Sequence, residues 1–498
     1  MSVDSHHAAS TDTCDLCVVG AGIAGLNALF AAGRYLGRTD KVILVDRRPR
    51  AGGMWVDTYP YVRLHQPHPM FTAGNIAWTL GRDPSYLATK DEVLGHFGHC
   101  LDEIGKRLTI DERYGWDLLS DESAADGVRI ICRTPDGGTR VIRAKRLVKA
   151  YGIRVTPNPP LPLSSTRVRS VSPDTCDVRT GELADSTAPV YIIGGGKTAT
   201  DTAHTLITTQ PGREVNLVAG SGTFFSCREK FFPTGRQRWI GSTLLSSMAA
   251  DMCRRFDGTN EEQLAEWFRA TYGTAVTARA GNFLLGVLSQ AEGAAICAGL
   301  NEVVMDHLVD VADRDGRPNL VLRSGASTPV PDGSWILNCT GYLGPADHPY
   351  EPYATAGGNV LSIQTRSATL HLTSYMGYYM THLMFRDELT RTPLYELDLQ
   401  TMMRRYKAVL PYTMFALAQY NLSLMADVLP TKVFNECALD FDRWYPWPRR
   451  AAGSVRFLLT HRRGRERLRR TLDTVRERCD VRCGPLDFGA TAFEAEVG

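Results

Sequence analysis

The sequence predicts an α/β fold of two Rossmann-like domains, the second inserted in the first, with a helical insertion and a helical C-terminal region. Three observations predict it. Strand–glycine turn–helix units stand far apart, around "CVVGAGIAGL" (17–26) and "YIIGGGKTATD" (191–201). Two apolar strands ending in small-residue turns, "RLVKAYGIRVTPNPP" (146–160) and "SWILNCTGYLGP" (334–345), bracket the second unit. Between about 220 and 300, and again after 395, apolar residues recur at the three-to-four spacing of a helix.

The bulk properties set the frame. A chain of 498 residues, 43% hydrophobic and 22% charged, can bury a large core. A net charge of +2 predicts no nucleic-acid or membrane partner. "MSVDSHHAASTDT" has no apolar h-region, so residues 1–13 read as a disordered lead rather than a signal peptide. No apolar run reaches the length of a membrane span, and a cytoplasmic location is expected. Twelve cysteines are then mostly free thiols. Cys14 and Cys17 form a C-x-x-C on a strand, whose spacing sends them to opposite faces and argues against a metal or redox pair. No metal site is expected.

The first turn places Gly20, Gly22 and Gly25 in the order G-x-G-x-x-G after an apolar strand and before an Ala/Leu-rich helix. The next strand, "KVILVD", ends in Asp46, 26 residues after Gly20. This is the context of a dinucleotide fingerprint. Gly20 permits the turn, Gly22 leaves room for a pyrophosphate, and Gly25 lets helix and strand pack. The helix N-terminus offers free N–H groups to the phosphates. Asp46 can accept from a free ribose, which suits FAD.

The second turn gives Gly194, Gly196 and Ala199, G-x-G-x-x-A, followed by the strand "EVNLVAG". Superposing "VILVD" on "VNLVA" puts Ala219 where Asp46 stood, so no carboxylate repels a 2′-phosphate. Lys197 in the turn, with Arg228 and Lys230 beyond the strand, favours NADPH. The expected domains are 14–160 with 335–395 for FAD and 161–334 for NADPH, the latter with a helical insertion at about 220–300. Residues 396–498 form the helical C-terminal region, broken at "VLPTK" and "WYPWPRR". Its last helix, "HRRGRERLRRTLDTVRER" (461–478), is strongly basic. It reads first as a solvated face and second as a place where a carrier protein could dock.

Taken together, the FAD fingerprint, "AGGMW" (51–55), the second fingerprint and "CTGY" (339–342) resemble the class B flavin monooxygenases over residues 14 to about 382. This group includes N-hydroxylating and Baeyer–Villiger enzymes. The resemblance implies cofactor contacts from Arg47, Gly53, Met54, Trp55, Thr198, Thr340 and Gly341. It implies that NADPH reduces FAD and that a C4a-(hydro)peroxyflavin delivers one atom of O2 to a small-molecule substrate. "RLHQP" (63–67) looks like the segment beside the flavin, which nominates His65 and Gln66 as catalytic residues. "GYYMTHL" (377–383) looks like the last flavin-contacting helix. The family's F-x-G-x-x-x-H is missing from "SSTRVRSVSP" (164–173), where Arg169 or Ser170 falls near the His position. Heteroatom oxygenation, most simply of nitrogen, is therefore expected ahead of ketone oxygenation. A disulfide reductase needs a dithiol after the acidic strand, and residues 47–80 contain no cysteine. An NADPH-sensing flavoprotein and a homodimer stay open.

Overall fold

The computed structural model describes residues 11–124, 126–341, 346–436 and 442–489. Strand β1 (Thr11–Val19) starts the first sheet, so Thr11 to Thr13 are strand rather than lead; residues 1–10 lie outside the described ones. Helix α1 (Ile23–Ala32) follows, then β2 (Lys41–Asp46), helix α2 (Lys90–Gly105) and β3 (Thr109–Tyr114). The hairpin β4 (Asp117–Ala124) and β5 (Gly127–Arg133) leads to β6 (Thr139–Lys149). β1 lies between β6 and β2 in parallel register, Val19 facing both Lys149 and Val45. Its apolar run is buried on both faces, as a central parallel strand requires.

The chain then builds a second sheet of the same design. β7 (Arg169–Val171), helix α3 (Gly181–Asp185), β8 (Val190–Ile193), helix α4 (Lys197–Thr209) and β9 (Val215–Val218) come first. An insertion follows: β10 (Thr223–Cys227), α5 (Arg228–Phe231), α6 (Leu245–Arg255), α7 (Glu261–Tyr272), β11 (Gly273–Ala275), β12 (Asn282–Leu288) and α8 (Gln290–Gly299). β13 (Glu302–Val304), the meander β14 (Leu308–Arg314), β15 (Arg317–Leu322) and β16 (Ser327–Pro329), and β17 (Trp335–Asn338) complete it. The order β17-β8-β9-β13 repeats β6-β1-β2-β3 of the first sheet. The chain returns to the first sheet with β18 (Ala354–Thr355) and β19 (Val360–Ser362), the latter parallel to β6. One dinucleotide fold is thus inserted in the other.

The insertion is not all helical. "NFLLGVL", expected to begin a helix, is strand β12, paired in parallel with β10. A seven-residue apolar run has no period long enough to separate strand from helix, and pairing with β10 decides it. Cys14 and Cys17 also differ from expectation. Both sit in one buried layer with Cys132, and burial raises both thiols, Cys14 to about 12. Among the described residues no group of side chains could hold a metal ion, and no helix is long and apolar enough to cross a membrane.

After β19 come α9 (Thr373–Tyr375), a π-turn (Met376–Met380) and α10 (Thr381–Phe385). The C-terminal helices are α11 (Leu399–Arg405), α12 (Leu410–Val428), α13 (Thr431–Asn435), α14 (Trp447–Thr460) and α15 (Arg465–Cys479). The basic helix α15 buries Leu468, Leu472 and Val475. Its basic face is solvated, with Arg470 73% exposed, although Arg465 pairs with Asp427, Arg469 with Asp473 and Arg478 with Glu261.

Candidate functional site

The two glycine turns have nearly the same geometry. Gly20 and Gly194 open them at φ +113° and +129°, conformations that favour glycine. A Cβ on Gly20 would lie 2.4 Å from the Ala150 carbonyl oxygen, and one on Gly194 2.5 Å from that of Cys339. Each turn is therefore braced by the end of the neighbouring strand, which is where "AYG" and "CTG" fall. Gly22 and Gly196 are the helix N-caps, and neither helix has a side-chain cap. Their first N–H groups stay available for a phosphate.

The first cradle holds Gly20, Gly22, Asp46, Arg47, Gly53 and Met54 along one groove. Asp46 is buried. One carboxylate oxygen accepts from the Ala21 N–H at 2.6 Å and the other from the Arg48 N–H at 2.8 Å. The acid thus fastens the turn to the end of β2 and still faces the groove. Gly22 packs against Gly53, whose own Cβ would come within 2.8 Å of the Gly22 Cα. Gly25 is tighter still, its Cβ falling 1.8 Å from the Gly20 oxygen. Sequence reasoning missed Trp116, Asp117 and Tyr151, which line the same groove from the hairpin and the β6 exit.

Ile23, Met54 and Thr373 are shared between this groove and a larger cavity of about 510 Å³. That volume suits a small molecule or a cofactor ring. Trp55, His65 and Gln66 line it from the first domain, and Lys197, Thr198 and Asp201 line it from the second. The two cradles therefore meet at one cavity. The Gln66 Oε1 is buried without a hydrogen-bond partner, the kind of acceptor a bound group would satisfy. Burial, then the nearby Lys197 and Arg228, hold the His65 imidazole at about 3, so it is neutral near pH 7. Phe231, His371 and Phe415 form much of the apolar wall, as does Leu285. Leu285 takes φ +60°, a strained conformation for a leucine, at the irregular pairing of β10 with β12. No motif announced these four.

Several nominated residues lie elsewhere. Arg169 is a correction: it sits on the exposed edge strand β7, pairs with Glu182 at 2.9 Å and stacks over Trp335, away from the cavity. Lys197 is paired with Asp201, which also accepts from the Tyr59 hydroxyl at 2.9 Å. Arg228 donates to the His65 carbonyl at 3.0 Å and to Glu292 at 2.8 Å. Burial works against the Glu292 charge, but Arg228 overrides it and keeps the carboxyl at about 2. Lys230 donates to the Thr271 carbonyl. Neither cation stands at the end of β9, because the chain turns through Gly220 and Gly222 into β10 before reaching them. Thr340 hydrogen-bonds Asn338 beside the second turn, with Gly341 next to it; Tyr342 lies outside the described residues.

Comparison with known proteins places these features. An uncharacterized protein of Mycobacterium tuberculosis (strain ATCC 25618 / H37Rv) is 29% identical over 206 residues, 39% of this chain. The match spans 36% of that relative's length, little more than a third. A flavin-containing monooxygenase from Stenotrophomonas maltophilia shares 14% identity at a TM-score of 0.45, covering 76% of this chain and 99% of its own. A cyclohexanone monooxygenase in an open crystal structure shares 14% identity at 0.48, covering 91% and 98%. The family model described as pyridine nucleotide-disulphide oxidoreductase matches residues 14–232, a stretch that takes in both glycine cradles, and FAD and NAD(P)H are the dinucleotides that this chain uses.

Proposed function

We propose that this protein is an FAD- and NADPH-dependent monooxygenase of the class B type, transferring one oxygen atom from O2 to a nitrogen of a small molecule. One observation carries the reading: two dinucleotide cradles open onto one shared apolar cavity, and among the described residues no cysteine lines it. The missing thiol disfavours a disulfide reductase, which needs a dithiol there. When bound, FAD supplies the electron-accepting and oxygen-activating chemistry, and NADPH supplies the hydride.

The residues have separable tasks in this reading. Gly22, Gly53 and the N-terminus of α1 hold the FAD pyrophosphate, while Asp46 fixes the turn and meets the ribose. Gly196 and the N-terminus of α4 hold the NADPH pyrophosphate, and Ala219 leaves its ribose free of a carboxylate. Gln66 offers an amide toward the reacting end of the cavity. Neutral His65 can exchange a hydrogen bond there without adding charge. Trp55, Phe231 and Phe415 exclude water, which keeps an activated oxygen from being lost. Arg169 plays no part, so the ketone reading gains nothing from it.

The test is turnover of simple tertiary and secondary amines under isotopically labelled dioxygen. One labelled atom is expected in the product for each NADPH consumed. If NADPH is consumed and all the oxygen is recovered as hydrogen peroxide, the monooxygenase reading is wrong. A ketone oxygenated in preference to every amine would replace nitrogen with carbon as the target.

A further inference from the structure

A second cavity, of about 560 Å³, lies between α12, α13 and α14, outside the stretch that the family model matches. Tyr375 lines both this cavity and the one shared by the cradles. A row of rings runs from one to the other. His371 and Tyr375 are 4.4 Å apart, Tyr375 and Tyr379 6.2 Å, Tyr379 and Phe434 5.3 Å, and Phe434 and Phe457 6.4 Å. The two spaces therefore share an aromatic wall, built from buried Tyr375 and Tyr379 with Phe434 and Phe457 packed against them.

Helix α14 is the outer cover. It is tied down by Arg449, which donates to the Arg238 carbonyl at 3.0 Å and the Ser242 hydroxyl at 2.8 Å, and by Arg456, which donates to the Ser247 hydroxyl at 2.6 Å. Gly453 is its only buried residue among those described. A Cβ there would meet Asp442 at 2.2 Å, so the helix touches down where a side chain is absent. Asp442 in turn accepts from the Ser246 N–H at 3.0 Å, which ties the contact to α6. Elsewhere the helix turns apolar side chains to solvent, with Trp447 76% and Leu459 70% exposed. Val455 and Leu458 border the cavity and are also exposed. An aromatic-walled space that abuts the reaction cavity and is bordered by exposed apolar side chains of its cover is suited to an apolar molecule.

We propose that this second cavity binds the apolar chain of an amphiphilic substrate whose polar, reacting end lies in the cavity between the cradles. Tyr375 is the wall the two ends share, and α14 is the cover the chain passes beneath. The placing of the reacting end rests on the monooxygenase reading; the chain site does not.

The test uses the FAD-loaded full-length protein and N,N-dimethylalkylamines from butyl to dodecyl, with Kd measured by calorimetry. Affinity should rise with chain length, by up to about fourfold per methylene while the chain is being buried. Val455→Trp and Ser454→Trp each put an indole into the second cavity from exposed positions. Both should flatten that rise and leave the butyl compound bound within about twofold of wild type. Flavin content verifies that each variant is folded. Kd independent of chain length in the wild type, or the same rise in both folded variants, would overturn the proposal. If the rise is seen and flattened as stated but no amine is oxygenated, the chain site stands and the monooxygenase reading falls.

Discussion

The two cradles share a turn, a helix N-terminus and a bracing strand end, yet they are finished differently. In the first, every residue of α1 after Ile23 is buried, Gly53 presses on Gly22, and Asp46 fastens the turn. In the second, α4 buries only one side, and a Cβ on Gly196 would meet nothing within 4 Å. A sealed cradle suits a cofactor that stays, and an open one suits a cosubstrate that comes and goes. The difference teaches that similar glycine motifs set the turn, while the surroundings set how closely it is enclosed.

The largest effect expected from breaking this contrast is at Gly25. Gly25→Val drives a side chain into the Gly20 backbone and should cost about 3 kcal/mol or more. The protein should be recovered without flavin, or insoluble; a soluble yellow G25V at wild-type stability would refute the sealed-cradle picture. Next is Arg228→Ala, which leaves the half-buried Glu292 without its partner. A loss of about 1–3 kcal/mol is expected by denaturant unfolding, below the full cost of a buried pair because Glu292 is partly solvated. NADPH and NADH should be affected alike. A selective rise in KM for NADPH would restore Arg228 to the phosphate site.

Ala219→Asp sharpens the comparison by giving the second cradle the acid of the first. The ratio of kcat/KM for NADPH over NADH should fall by about tenfold or more, as the carboxylate repels the 2′-phosphate. An unchanged ratio would separate Ala219 from the ribose. The smallest effect, a pH dependence, falls on the first unit, which holds four histidines shifted by burial, and not on the second. Burial keeps His65, His96 and His371 neutral at about 3, and His382 at about 4, against 6.5 when unfolded. Between these values the unfolded chain binds protons that the native one does not, so stability is full above about pH 6.5 and falls with acid. Each such histidine contributes up to about 1.4 kcal/mol per pH unit. Unfolding midpoints that do not fall from about pH 7 to about pH 5 would contradict this.

What the sequence made legible was local. Gly20, Gly25 and Gly194 are demanded by turn and packing geometry within a few residues, and the inserted order of the two folds follows from where the bracketing strands lie. What it hid was assembled from afar. Phe231, Leu285, His371 and Phe415 come from four separate segments, and no spacing links them. Arg169 was placed by alignment to an absent motif, and the register of β7 on the far edge of its sheet carries it away from the cavity. The basic helix is the solvated face its charge suggested, but its pairing was hidden: Asp427 and Glu261, which pair with Arg465 and Arg478, lie on other helices.

The central claim is that the first cradle holds FAD and the second delivers NADPH to it across the shared cavity. The most direct test is bleaching of the bound flavin by NADPH without oxygen, in the wild type and in Gly196→Val. The account predicts a yellow wild type that NADPH bleaches, and an equally yellow variant that it does not. A variant bleached as fast as the wild type, or a wild-type protein that cannot be loaded with flavin, would contradict it.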